Sequence, residues 1–594
     1  AAGIEWAFRR EPTMDQRNRR PTFESIPPGS RILVLFLALL GYLTLFQSLG
    51  GLPYLGADEP RYARIGEEMA ADGDWVTPHF LGQPWLEKPP LLFWMEAASF
   101  SVFEPSEGAA RLPNAILGLL TALLLGYMLS RAAGPQAGVL GYAVLLTTPL
   151  FLVFCRAAST DLPLAATVTA ALLLGWRSEE ERSPRWAAAA GIMLGLAFLA
   201  KGPVALILVG VPFYLHALWK GDSGWNRQRL TVALTCALLV AGPWYVLVTL
   251  ANGKNFLVTF WLNHHVARFI TDLHHHSQPF WFYLPVLLVG TYPWTFSADA
   301  LVTGGKSRYA TLDSPGDRLE SLLMCHVVFT VVFFSVSQSK LPGYILPAVP
   351  ALAGLFALEW NRLLNADVRI YRSMKRSLKV TAGFGLLLFI ATAYGFDSQY
   401  GDLKTGVLVA VPLLLAVLPA LGRSLFRLPA QWFLVFVVAV VTCMSLLYRL
   451  GSPLIGSHHS AKAVCEIVRP HLSGREPMIF YRFYHHTARY YTDFKTTWDS
   501  VNNPEEFIRY MASHPQNGYW LLTHAAGARE LENRFGALLV SRSGPFHLVH
   551  LHLARGAGPE EAERGVLGVV GSPMFLSRGS MPPRPNLLGG GPFR

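Results

Sequence analysis

The sequence predicts a polytopic α-helical membrane protein that carries a smaller α/β domain at its C-terminal end. Three observations lead there. Of 594 residues, 52% are hydrophobic and only 15% charged, a balance that a water-soluble core does not require. Apolar runs such as 31–52 and 230–250 reach the roughly 20 residues of helix needed to cross a hydrocarbon core. From about Gly451 the pattern changes to short amphipathic helices alternating with strand-like apolar segments.

Taken in order, residues 1–30 form a basic arm and the transmembrane region occupies 31–450. The first apolar run has no small-residue cleavage site near Leu52 and further runs follow it, which reads as a span rather than a signal peptide. Thirteen runs are readable as spans: 31–52, 109–131, 135–155, 161–177, 187–200, 202–219, 230–250, 280–298, 319–338, 341–360, 380–396, 405–422 and 430–449. The segment Leu91 to Phe103 is shorter, contains Glu96 and follows Pro89-Pro90, so it reads as an interfacial helix inside a first exterior loop of residues 53–108. Residues 451–555 form the α/β domain, with helices expected at 461–468, 504–511 and 528–535 and strands at 478–481, 519–522, 537–540 and 547–553. The tail 556–594, rich in Gly, Pro and Arg, reads as disordered.

Lys and Arg crowd alternate loops. The arm, with Arg9, Arg10, Arg17, Arg19 and Arg20, shares a side with Arg177, Arg182 and Arg185, with Lys220, Arg227 and Arg229, and with the cluster from Arg362 to Lys379. The positive-inside rule makes that side cytoplasmic and sends the C-terminal domain to the exterior. The formal charge of +11 is therefore a topology and lipid-headgroup signal, and no nucleic-acid partner is expected. The five cysteines lack any ligand spacing and read as small buried hydrophobes.

With this topology, the polar residues at the ends of the spans fall on one exterior face. Asp58-Glu59 with Arg61-Tyr62, Glu87-Lys88, Asp161, Lys201, His264-His265 with Arg268, and Lys340 with Tyr344 all gather there. Carboxylates beside apolar helix ends are costly to desolvate and need partners or a task. Asp161 also suits a helix start, with Ser159-Thr160 before it and Pro163 just inside. Lys88, Lys201, Arg268 and Lys340 at the membrane boundary suit a lipid-linked phosphate, although a single one of them could equally be snorkelling to the headgroups. His274-His275-His276 has no metal-ligand spacing, and no Walker loop, dinucleotide fingerprint or nucleophile elbow occurs.

At these residues the chain resembles a known family. Asp58-Glu59 with Arg61-Tyr62-Ala63, Gly73-Asp74-Trp75-Val76-Thr77-Pro78 and Glu87-Lys88-Pro89-Pro90-Leu91 look like the first exterior loop of the bacterial lipid A aminoarabinose transferases. Thr160-Asp161, Ala200-Lys201-Gly202-Pro203 and Ser339-Lys340-Leu341-Pro342-Gly343-Tyr344 agree with it. The wider clan includes the protein O-mannosyltransferases. The resemblance implies a GT-C fold in the bacterial inner membrane, with a cytoplasmic N-terminus and a periplasmic C-terminal domain. It also implies transfer of a sugar, 4-amino-4-deoxy-L-arabinose for the nearest family, from polyprenyl (undecaprenyl) phosphate to lipid A, a related glycolipid or a protein.

In that frame Asp58 and Asp161 would be the catalytic acids. Lys88, Arg61, Arg268, Lys201, Tyr344 and His265 would surround the donor phosphate, with Glu59, Tyr62, His264 and Lys340 lining the cavity. Glu87 would sit where a divalent ion can be met. Pro60 departs from the family pattern and bears on how Arg61 is aimed. A lipid or sugar transporter is the alternative of another class, but its ionisable groups would belong at the bilayer midplane on broken helices, and no internal repeat is visible.

Overall fold

In a computed structural model the described residues are 28–221, 225–261, 278–297, 312–365, 368–415, 418, 429–472, 476–494 and 496–553. They divide into two compact units between Ser460 and Ala461.

The first unit is helical. Its elements are α1 (Pro28–Gly41, continued by a π-turn Tyr42–Phe46), α2 (Asp58–Asp72), the two-residue strands β1 (His79–Phe80) and β2 (Gln83–Pro84), α3 (Leu91–Val102), α4 (Glu107–Ala133), α5 (Pro135–Leu145), α6 (Pro149–Cys155), α7 (Asp161–Glu181), α8 (Pro184–Lys201) and α9 (Val204–Lys220). There follow α10 (Arg227–Phe256), α11 (Tyr283–Gly290), α12 (Pro315–Val336), α13 (Ala348–Leu364), α14 (Val368–Tyr400), α15 (Leu403–Leu415), α16 (Pro429–Leu446) and α17 (Ser452–His459). Each of the thirteen apolar runs contains helix. Among the described residues, five helices are long and apolar enough to cross a membrane, or six if one bent pair counts as a single span.

The bent pair corrects the run 135–155, which the sequence offers as one straight span. α5 and α6 meet at 67°. Thr147 and Thr148 turn their hydroxyls back to the carbonyls of Ala143 and Val144, and Pro149, lacking an N–H, can only begin a new helix. The run 280–298 likewise holds a helix only as far as Gly290, followed by a short 3-10 turn at Trp294–Ser297.

Several helix starts follow from their own sequence. Ser314 and Asp317 form a reciprocal capping box with Pro315 at the first helical position of α12. Ser106 accepts from the Ala109 N–H at 3.3 Å to open α4, and Asn226 accepts from Arg229 at 2.9 Å to open α10. Below the caps, one continuous apolar core runs through the helices and includes Trp176, Trp294 and Trp360, all at most 1% exposed. Of the five free cysteines four are buried and Cys236 is partly so, as expected of small hydrophobes.

The segment between α1 and α4 is a folded part of this unit. α2 and α3 pack together through Tyr62, Ile65, Met69, Leu92, Phe93 and Ala97. Asp74 caps the turn by accepting from Val76 and Thr77, and the loop is tied to α10 by the Trp244 indole donating to the Val76 carbonyl at 2.9 Å.

The second unit is α/β. A five-stranded sheet has the order β4 (Thr496–Val501), β3 (Met478–Tyr481), β5 (Gly518–Thr523), β7 (Phe546–His552), β6 (Leu538–Ser543). β3 pairs in parallel with β4 and β5, while β7 is antiparallel to β5 and β6. Alternate residues Ile479, Tyr481, Tyr519, Leu521, Val549 and Leu551 pack one sheet face against the helices Pro504–Ser513 and Ala525–Phe535. The strand 496–501 and the helix His486–Tyr491 are additions to what the sequence pattern offers. The tail from 554 lies outside the described residues.

Candidate functional site

The site is assembled where α2, α7, α8 and the turn before α13 end together. α2 starts at Asp58, so Asp58 and Glu59 occupy its first turn, where the positive end of the helix dipole favours carboxylates. The two acids have opposite fates. Asp58 is exposed over 63% of its side chain and lies 3.6 Å from the Arg61 guanidinium. Arg61 in turn sits 5.0 Å from the centre of the Trp85 ring.

Glu59 points inward and is used up by structure. Its Oε1 accepts from Arg111 Nε at 2.9 Å and from the Ala158 N–H at 2.9 Å; its Oε2 accepts from Arg111 Nη2 at 2.8 Å and from the Leu55 N–H at 3.0 Å. Arg111, 2% exposed, also donates to the carbonyls of Leu49 and Pro53. A two-pronged pair of this kind fixes orientation as well as charge. Glu59 therefore borders the cavity as scaffold, pinning α2, α4 and the peptide before α7 to one another.

Tyr62 lies one turn after Asp58 and is 6% exposed. Burial holds its hydroxyl well above the usual phenol range, and the carboxylates of Asp58, Asp161 and Glu87 push in the same direction against the opposing Arg61. Three carboxylates from the first loop and from α7 thus act on a single buried hydroxyl.

Asp161 opens α7. Its Oδ1 takes an ion pair from Lys201 at the end of α8, and its Oδ2 accepts from the Ser159 hydroxyl at 3.0 Å. The backbone of Gly343 lies against this carboxylate, and a Cβ there would come within 2.6 Å of Oδ2, which is why the Ser-Lys-Leu-Pro-Gly-Tyr turn needs glycine. That approach places Tyr344 beside the pair, with Lys201 Nζ 5.1 Å from its ring centre. Tyr283 closes the same side, donating to the Leu341 carbonyl at 3.3 Å.

Lys340 is 5% exposed and its ammonium donates to the carbonyls of Gln278, at 2.9 Å, and Ser337. Burial pulls it below the usual lysine range. It lines an apolar groove of about 600 Å³ with Phe280, Trp281, Leu284, Val332 and Val336. Glu87 and Lys88 are half-buried in the loop between β2 and α3. His264, His265, Arg268 and the run His274-His275-His276 lie outside the described residues. Among the described residues no three His, Cys, Asp or Glu side chains gather with metal-ligand geometry. Glu87 has no such set around it among the described residues.

The sequence reading missed the groups that hold this geometry. Asn114 and Arg111 lie in or beside an apolar run, and Ser159 looked like a capping residue; the available signal was an amide and a guanidinium inside an otherwise apolar helix.

The fold and site define a polytopic membrane glycosyltransferase of the GT-C class. Residues 87–247 match the family described as dolichyl-phosphate-mannose-protein mannosyltransferase. The fold is that of ArnT from Cupriavidus metallidurans, solved bound to undecaprenyl phosphate, with a TM-score of 0.71 at 23% identity over 87% of this chain and 97% of that one.

Among curated proteins, the undecaprenyl phosphate-alpha-4-amino-4-deoxy-L-arabinose arabinosyl transferase of Edwardsiella ictaluri is 30% identical over 411 residues, 67% of this chain and 72% of that one. The enzyme of the same name from Aeromonas salmonicida is 30% identical over 451 residues, 72% and 77% of the two chains. The chain belongs to this arabinosyl transferase family, which sets aside the transporter alternative.

Proposed function

We propose that the chain moves 4-amino-4-deoxy-L-arabinose from undecaprenyl phosphate to lipid A or a closely related glycolipid, on the periplasmic face of the bacterial inner membrane. The observation that carries the reading is the Asp161–Lys201 ion pair packed against Gly343 and Tyr344, with the charges of Asp58 and Glu87 bearing, as that of Asp161 does, on the buried Tyr62. The N-terminus is then cytoplasmic, as the crowding of Lys and Arg in alternate loops supports.

In the transfer, the bond between the sugar C1 and the donor phosphate oxygen breaks, and undecaprenyl phosphate leaves with the electron pair. A bond from C1 to the acceptor oxygen forms. Negative charge accumulates on the departing phosphate, so fixed cations in a site of low dielectric lower the barrier more than they strengthen ground-state binding. Lys88, Arg61, Lys201 and Arg268 supply this charge in our reading, with Tyr344 and His265 as hydrogen-bonding neighbours and Tyr62, His264 and Lys340 bordering the cavity. Asp161 holds the Lys201 ammonium in place. Asp58, the most exposed acid of the group, faces the acceptor: it takes the proton of an acceptor hydroxyl, or orients an acceptor phosphate, which is already anionic.

The test is turnover of Asp58→Asn with the undecaprenyl-phosphate-linked aminosugar and lipid A. Near-normal turnover would remove Asp58 from the mechanism. The match of residues 87–247 to the protein mannosyltransferase family favours one second reading, in which the acceptor is a protein or another glycan. Mass spectrometry of lipid A and of exterior proteins from cells with and without the enzyme separates the two, by where the added sugar mass appears.

A further inference from the structure

The peptide that leads into Asp161 is irregular, yet it is held by side chains from three other elements. Asn114, in α4, is 0% exposed, and its Nδ2 donates to the carbonyls of both Ala157, at 2.7 Å, and Ser159, at 2.9 Å. Between these two carbonyls the Ala158 N–H is taken by Glu59. Just before them, Arg156 anchors to the carbonyls of Thr44, at 3.3 Å, and Gln47, at 2.6 Å, with its guanidinium 3.7 Å from the centre of the Tyr448 ring. The last link is Ser159, whose hydroxyl donates to Asp161 Oδ2 and accepts from the Asp161 N–H at 3.1 Å.

Asn114 is the unexpected member. A primary amide in an apolar helix is costly to bury unless it is hydrogen-bonded. Here both bonds are made by its nitrogen, whereas its buried oxygen accepts none among the described residues. Helix packing does not require such a residue, and a hydrophobic side chain of equal size would carry no desolvation penalty. What the amide does is clamp two carbonyls that are two residues apart, which fixes the turn between them and with it the direction of Ser159.

We infer that Asn114 is a positioning residue for the transfer reaction: through Ser159 it sets the Asp161 carboxylate, and through that carboxylate the Lys201 ammonium. The inference rests on the reading of Asp161 as an acid of the transfer cavity.

The full-length chain, purified in detergent, is assayed with the undecaprenyl-phosphate-linked aminosugar and lipid A. Asn114→Leu, with the same number and branching of side-chain heavy atoms but without donors, is expected to lower kcat about 10- to 100-fold with the donor KM within about 3-fold, the pattern of a misplaced catalytic group. In an Asp161→Asn background the same change adds less than about 2-fold, whereas in an Asp58→Asn background it multiplies nearly in full. Thr121→Val, buried two turns further along the same helix, leaves kcat unchanged.

Should Asn114→Leu fail to fold, Ser159→Ala carries the same expectations. Near wild-type kcat in the Asn114 variant beside an impaired Asp161→Asn overturns the inference alone. So does a loss that multiplies in full with Asp161→Asn. Wild-type turnover of Asp161→Asn overturns the Asp161 reading, and the inference falls with it.

Discussion

The two ends of α7 present the same raw material in opposite arrangements. At its C-terminal end Glu179 meets Lys220 at 2.7 Å, Glu180 is held by two prongs of Arg318 at 2.6 Å each, and Arg362 joins Glu320 to Glu359. Each of these acids has a cation in contact, and the pairs lock α7, α9, α12 and α13 together. Near the N-terminal end Lys201 is paired with Asp161 and Arg61 stands 3.6 Å from Asp58, and the charges of Asp58, Asp161 and Glu87 all bear on the buried Tyr62. The lesson is that charge at a helix end says little until its partner is known. Short, doubly shared pairs hold helices, while the looser 3.6 Å approach of Arg61 leaves Asp58 63% exposed.

The widest separation between the two ends should come from removing single charges. Asp161→Asn, which releases the Lys201 ammonium, is expected to cost about 10²- to 10³-fold in kcat, the range for losing one fixed group that stabilises the developing charge, with little change in melting temperature. Arg362→Ala at the far end should do the reverse. Leaving Glu320 and Glu359 without their shared cation should cost about 3–5 kcal/mol of stability, read as a lowered melting temperature, while the surviving folded enzyme keeps its kcat. Equal losses of activity in both variants would dissolve the contrast.

A buried acid outside both networks sharpens it. Glu96, in α3, is 0% exposed, and among the described residues neither carboxyl oxygen has a hydrogen-bond partner. It fills the space left by Gly66, where a Cβ would come within 2.8 Å of its own Cβ. Burial, with Glu59 and Glu67 nearby, holds Glu96 well above the usual carboxylate range, so the folded state keeps its proton where the unfolded chain would release it. The stability this proton supports is therefore complete below the unfolded value of about 4.3 and declines as pH rises above it. Glu96→Leu is expected to raise the melting temperature relative to the parent, by more at pH 8 than at pH 5; a gain that is constant with pH would contradict this.

The smallest effect belongs to the second unit. Arg469 and Asp493 also form a two-pronged pair, at 2.9 and 3.0 Å, but both are about half exposed. Asp493→Asn should change stability by less than about 1 kcal/mol, separating burial from geometry as the source of strength at Arg318 and Arg362.

Much of the membrane unit was legible because hydrophobic run length and loop charge are local signals. The first-loop and Ser-Lys-Leu-Pro motifs could be read for the same reason. Glu59 could not be told from Asp58, its neighbour, because the difference lies in Arg111, 52 residues further on. Asn114 was hidden by the hydrophobicity of the helix around it. The bend at Thr147-Thr148 left only Pro149 as a trace, since composition reports that a run is apolar and not that it is straight.

α7 has 21 residues, so the Asp161 carboxylate and the glutamates at its other end stand roughly 30 Å apart along one rigid rod. That is about the thickness of a bilayer's hydrocarbon layer. Almost every residue between the two tips is buried among the other helices, so the rod is a spacer inside the protein. Because one tip borders the proposed reaction cavity, the length of this single helix sets how far that cavity stands from the ion pairs at the other tip.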